Sequence, residues 1–99
     1  MDVNTLVTAL IRNLALARSQ QIELILAVLI EANGADLSAI DFSQKTLLGS
    51  NAVYPILWGL EQQGVIISRI EQLAPGEERP RRTFYYLSDR AKQALKAIS

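Results

Sequence analysis

Residues 50–87 constrain the fold more than any other stretch of the chain. They read as a helix from Ser50 to about Gln63, closed by Gly64 and followed at once by two β-rich segments. Val53, Leu57 and Leu60 recur at i, i+4 and i+7, with Ile56 beside them, the pattern of a helix that buries one face. Pro55 sits late for a first-turn proline, so a tight or irregular first turn is expected. Residues 65–73 and 82–87 are rich in β-branched and aromatic side chains, with turn chemistry in Ala74-Pro75-Gly76-Glu77-Glu78-Arg79-Pro80 between them. On the returning strand Thr83, Tyr85 and Leu87 share one face, Phe84 and Tyr86 the other. A helix that passes through one glycine into a hairpin with Arg79, Arg81 and Arg82 at its tip leaves few architectures open.

The remaining elements are read from periodicity and caps. Val3, Leu6, Val7, Leu10, Ile11 and Leu14 predict a helix over about residues 3–17, with Asp2 as its N-cap. That stripe suits either the core or the seam of a dimer, and Leu6, Leu10 and Leu14 are the candidate dimerisation residues. Ser19 caps a second helix over 20–32, whose centre, residues 24–30, is apolar on every side and so reads as buried all round. A buried strand is the rival reading; length favours helix, and Asn33-Gly34 is a good stop. Asp36 or Ser38 caps a short helix, with Leu37, Ile40 and Phe42 facing inward, before a turn of Lys45-Thr46-Leu47-Leu48-Gly49. Ser50 or Asn51 caps the next helix. Ser88-Asp89 caps a last one over 90–98, with Ala91, Leu95 and Ile98 as its inner stripe. The expected fold is mainly α with a two-stranded β-hairpin, a winged helix-turn-helix with an extra N-terminal helix. It forms a single domain over 1–99: N-terminal helix 1–18, winged-helix core 19–88 and C-terminal helix 89–99.

Composition excludes much chemistry. The 99 residues contain no Cys and no His, so disulfides, zinc–thiolate sites, cysteine nucleophiles and Ser-His triads are ruled out. The acidic residues are scattered as caps and surface positions, and no catalytic or metal-binding constellation emerges; neither an enzyme nor a cofactor is expected. The longest apolar run, residues 24–30, is far short of a membrane span, and the start of the chain lacks a secretory pattern. A soluble, cytoplasmic protein is the expectation. Ten basic residues balance ten acidic ones. The charge is nevertheless polarised, with three basic against six acidic residues over 1–64 and seven against four over 65–99.

Two stretches carry a family likeness. Val53-Tyr54-Pro55-x-Leu57-x-x-Leu60-Glu61-x-x-Gly64-Val65-Ile66 and Arg79-Pro80-Arg81-Arg82-Thr83-Phe84-Tyr85-Tyr86-Leu87-Ser88 resemble the recognition-helix and wing patterns of the PadR-like winged-helix transcriptional regulators, over about residues 20–95. Trp58 and Gly59 stand where the family often has basic residues, and Asp89-Arg90-Ala91 departs from its usual acidic pair and Gly. The resemblance implies a sequence-specific DNA-binding regulator, a repressor, working as a homodimer on double-stranded DNA, and the two-fold symmetry of such a dimer predicts a pseudo-palindromic site. Many members carry a long C-terminal dimerisation segment; with the chain ending at Ser99, the N-terminal helix is expected to supply the dimer contacts instead. No residues specify a small-molecule effector.

The candidate DNA-binding residues are Lys45, Ser50, Asn51, Tyr54, Arg79, Arg81 and Arg82. Polar groups at a helix N-terminus suit phosphate oxygens, and arginines on a wing suit the negative minor groove. The plainer readings are a helix cap for Ser50, a half-buried Tyr54, and a solvated turn whose charge Glu77 and Glu78 partly neutralise. Trp58 is expected to pack on the hairpin or on a partner subunit, with stacking on DNA as the alternative. A winged-helix protein-interaction module without DNA binding is the competing function.

Overall fold

A computed structural model describes residues 1–98. It contains α1 Val3–Asn13, α2 Gln20–Ala32, α3 Ala39–Thr46, α4 Ser50–Gln62, β1 Ile66–Ile70, β2 Thr83–Leu87 and α5 Asp89–Ile98. Among the described residues, no helix is long and apolar enough to cross a membrane.

Each helix starts and stops for a local reason. Asp2 accepts the Thr5 N–H at 2.8 Å, and Ser19 accepts that of Ile22 at 3.1 Å, so both predicted N-caps are present. Helix α1 ends at Asn13, not near Ala17, because the chain enters the left-handed region at Ala15. The Leu16 N–H then bonds Ile11 C=O at 2.9 Å and the Ala15 N–H bonds Arg12 C=O at 3.3 Å. These are the two bonds of a Schellman stop, and the turn places Leu16 in the core beside Ile11. At α3, Ser38 and Asp41 form a reciprocal capping box, which settles the choice between Ser38 and Asp36. That phase turns Ala39 and Phe42 inward and leaves Ile40 65% exposed, contrary to the expected inward Ile40. Helix α3 also runs on to Thr46, so Lys45 lies in its last turn and not in a loop.

The core is formed by α1, α2, α3, α4, the start of β1 and Ala91 of α5, with Phe42 of α3 its largest fully buried side chain. Leu10 is completely buried in this core within a single chain, whereas Leu6 and Leu14 keep part of their surface. Leu10 therefore has no area left to offer a second subunit. Helix α2 buries Ile25, Leu26, Val28 and Leu29 but exposes Leu24 and only half-covers Ile30, so its burial is not all-round as expected.

Strands β1 and β2 pair antiparallel, Ile66 opposite Leu87 through Ile70 opposite Thr83. The Tyr85 N–H also bonds Leu37 C=O at 2.8 Å, so a short bridge flanks β2 on its far side. Phe42 and Tyr85 meet edge to face with ring centroids 6.2 Å apart, anchoring the hairpin to the helices. At the other end Gly64, at φ 73°, completes a Schellman stop for α4: Val65 N–H bonds Leu60 C=O and Gly64 N–H bonds Glu61 C=O. The Ser88 hydroxyl donates to Gly64 C=O at 2.6 Å and accepts the Ala91 N–H, tying the start of α5 to the end of α4. Hairpin, α4 and α5 are thereby locked at one junction.

Candidate nucleic-acid interface

Helix α4 opens on Gly49, which is its N-cap and makes no side-chain cap bond. Neither Ser50 nor Asn51 is the cap; both are already helical, because Gly49 C=O receives the Ala52 and Val53 N–H groups, each at 3.0 Å. This shared acceptor tightens the first turn, and the helix runs unbroken through Pro55. Asn51 folds back over Gly49, its Oδ1 lying 2.7 Å from where a Cβ would stand. With Val53, Leu57 and Leu60 buried, the outward face carries Asn51, Tyr54, Pro55, Trp58 and Gln62, all exposed and all neutral. Trp58 is 65% exposed within a single chain, contrary to the expected packing on the hairpin as a buried aromatic. Burial of Val53 and Leu57 fixes this: Tyr54 and Trp58 sit one residue later in the helix and are rotated outward together.

The inner side of the hairpin faces this helix. The Ser68 hydroxyl donates to Glu61 at 2.5 Å. Burial pushes the Tyr85 hydroxyl above its ordinary value, and Tyr54 and Glu61 nearby add to the effect. On the outer side Arg69 lies over the Tyr86 ring and Arg82 over Phe84, each at 5.4 Å. The Tyr86 hydroxyl donates to Asp36 at 2.5 Å, which raises its own proton affinity. Asp36 is thus a partner for the wing and not a helix cap.

The tip of the hairpin is organised by a residue absent from the sequence reading. The Glu71 side chain, 14% exposed, accepts both terminal nitrogens of Arg79 at 2.7 and 2.9 Å. It also accepts Arg82 Nη2 at 3.2 Å, Arg82 Nε at 3.4 Å and the Arg82 backbone N–H at 3.2 Å. Arg79 Nε reaches Glu77 at 3.3 Å. These guanidiniums hold the Glu71 carboxyl far below the ordinary carboxylate range, and Glu71 in turn pushes Arg79 up. Neutralisation at the wing therefore comes chiefly from Glu71, with a share from Glu77, and Glu78 joins no ion pair among the described residues. The pairing follows from the observed register: one step beyond Ile70 and Thr83, Glu71 stands opposite Arg82. Arg81 has no carboxylate partner among the described residues and is exposed.

The fold brings some of the candidate residues together and not others. Tyr54 of α4, Ile40 at the start of α3, and Arg81, Arg82 and Thr83 of the wing line one open groove of about 250 Å³. Ser50 and Asn51 stand exposed at the head of the same helix as Tyr54. Lys45 instead lines a separate depression with Val28, Glu31 and Ala32 of α2. Arg79 points its charge into the Glu71 cluster.

No protein-family model matches the sequence, and no curated protein matches it. Solved structures do match. The smu.1704 protein from Streptococcus mutans UA159 aligns with a TM-score of 0.61 at 23% identity, over 83% of this chain and 77% of that one. A MepR mutant from a multidrug-resistant S. aureus clinical isolate aligns at 0.66 and 14% identity, over 92% and 60%. Bacillus subtilis PadR in complex with operator DNA aligns at 0.58 and 21% identity, over 82% and 46%. The chain has a winged-helix fold. The likeness to PadR agrees, at the level of fold, with the motif resemblance in residues 53–66 and 79–88. This winged-helix chain spans less than two thirds of the MepR and PadR chains that it matches.

Proposed function

We propose that this winged-helix chain is a sequence-specific DNA-binding transcriptional regulator, acting as a homodimer to repress. The observation that carries the reading is the groove shared by Tyr54 of α4 and Arg81 and Arg82 of the wing. Tyr54 and the exposed Arg81, unpaired among the described residues, are brought to one groove from two elements and suit the sugar–phosphate edge of a duplex. At the head of α4 no side chain caps the first turn, so exposed backbone N–H groups add a further seat for phosphate. The outward face of α4 carries no charge, so its share is shape and polar contact, and the electrostatic share falls to the wing. The PadR structure that matches holds operator DNA, which supports a duplex as the partner for this arrangement.

Selection of genomic fragments at low salt, followed by sequencing, tests the reading. The expected product is a set of pseudo-palindromes with half-sites about one helical turn apart, ~10 base pairs. Enrichment of no sequence at low salt would remove the proposal and leave the protein-interaction module in its place.

A further inference from the structure

We propose that Glu71 is an internal competitor for the wing: its carboxylate occupies, between Arg79 and Arg82, the seat that a nucleic-acid phosphate would otherwise take. The inference rests on the wing being the anion-contacting element of the proposed function. Five donor contacts from two guanidiniums and one backbone N–H converge on its two oxygens, which is how a phosphate is held. Arg79 is committed on both edges, to Glu71 through its terminal nitrogens and to Glu77 through Nε. Arg82 gives Glu71 its Nε and Nη2, leaving Nη1. The Glu71 N–H bonds Arg82 C=O at 2.8 Å, so the backbone pins the carboxylate opposite the arginine it neutralises. Of the three tip arginines, Arg81 alone carries an uncommitted charge among the described residues, and an incoming phosphate must displace Glu71 to use the other two.

Glu71→Gln keeps the shape and the backbone bond and removes the charge. Glu78→Gln makes the same change of net charge at a position outside every ion pair among the described residues. Each full-length variant is measured for the salt dependence of binding to a selected duplex and for elution from immobilised heparin. Glu71→Gln is expected to steepen the plot of log affinity against log salt by about one to two units, since each freed arginine adds about 0.9. It should also elute from heparin at higher salt than Glu78→Gln, and the difference should vanish when Arg79 and Arg82 are both replaced by Gln. Equal behaviour of the two variants overturns the proposal, as does weaker binding by Glu71→Gln, which would make Glu71 a support for the arginines. A heparin difference without binding to any duplex would keep the competitor role and remove the DNA reading. Duplex binding with no such difference would do the reverse. Should Glu71→Gln fail to fold, Arg79→Gln serves instead. It should lower heparin retention much less than Arg81→Gln, and an equal loss overturns the proposal.

Discussion

Ala15 holds φ at 53°, a left-handed conformation that costs an L-residue with a Cβ about 1–2 kcal/mol. It is tolerated because the turn delivers Leu16 to the core. We predict that Ala15→Gly stabilises the chain by about 0.5–1 kcal/mol in urea unfolding, the relief of strain exceeding the entropy that glycine adds to the unfolded state. The periodicity of α1 ran past this point on paper, because alanine is a good helix former and nothing local marks a stop. Arg81 is the opposite case, an exposed residue with no ion-pair partner among the described residues, to which the proposed function gives the wing's contact with DNA. Arg81→Ala should leave stability within about 0.5 kcal/mol. It should weaken DNA binding across sequences and flatten the salt slope by about one unit, measured by titration at several salt concentrations.

Among the elements, the wing and α1 depart most from what their residues implied. The hairpin was legible from its β-rich runs and turn, and its faces alternate as read, with Tyr85 and Leu87 packed on the core. What could not be read from composition was which arginines remain available, since that depends on Glu71 meeting Arg79 and Arg82 across the turn. The same cluster makes the wing acid-sensitive. Glu71 is depressed by its guanidinium partners, and Asp2 by the Thr5 N–H that it caps. Their stabilising contributions are complete above the ordinary carboxylate value, 4.5 for Glu71. They are lost as pH falls below it toward the depressed folded values. Unfolding midpoints should thus decline on acidification below about pH 4.5, and Glu71→Gln should show a shallower decline. In α1, the two readings of the stripe divide by residue. Leu10→Ala removes a fully buried side chain and should cost about 2–5 kcal/mol. Leu6→Glu, on the half-covered edge, should leave a folded chain and, on the homodimer reading, yield a monomer in sedimentation.

At the scale of the whole molecule, charge and packing separate two tasks. The acidic part, residues 1–64, supplies most of the core and α4 with its uncharged outward face; the basic part, 65–99, supplies the wing and α5. A chain with zero net charge can engage a polyanion only where such separation concentrates the basic side, and the groove joining Tyr54 to Arg81 and Arg82 lies where the two parts meet. The sequence by itself determined the element order, the caps at Asp2, Ser19 and Ser88, the stop at Gly64 and the inner stripe of α4. Each of these rests on interactions within a few residues, which a period of 3.6 or 2 and a capping side chain record directly. Only the tertiary structure decided that Leu10 is core, that Ile40 and Trp58 face out, that Leu37 flanks β2, and that Glu71 claims Arg79 and Arg82. Those outcomes depend on the rotational phase of packed helices and on contacts between residues far apart in the chain, and local pattern carries no record of either.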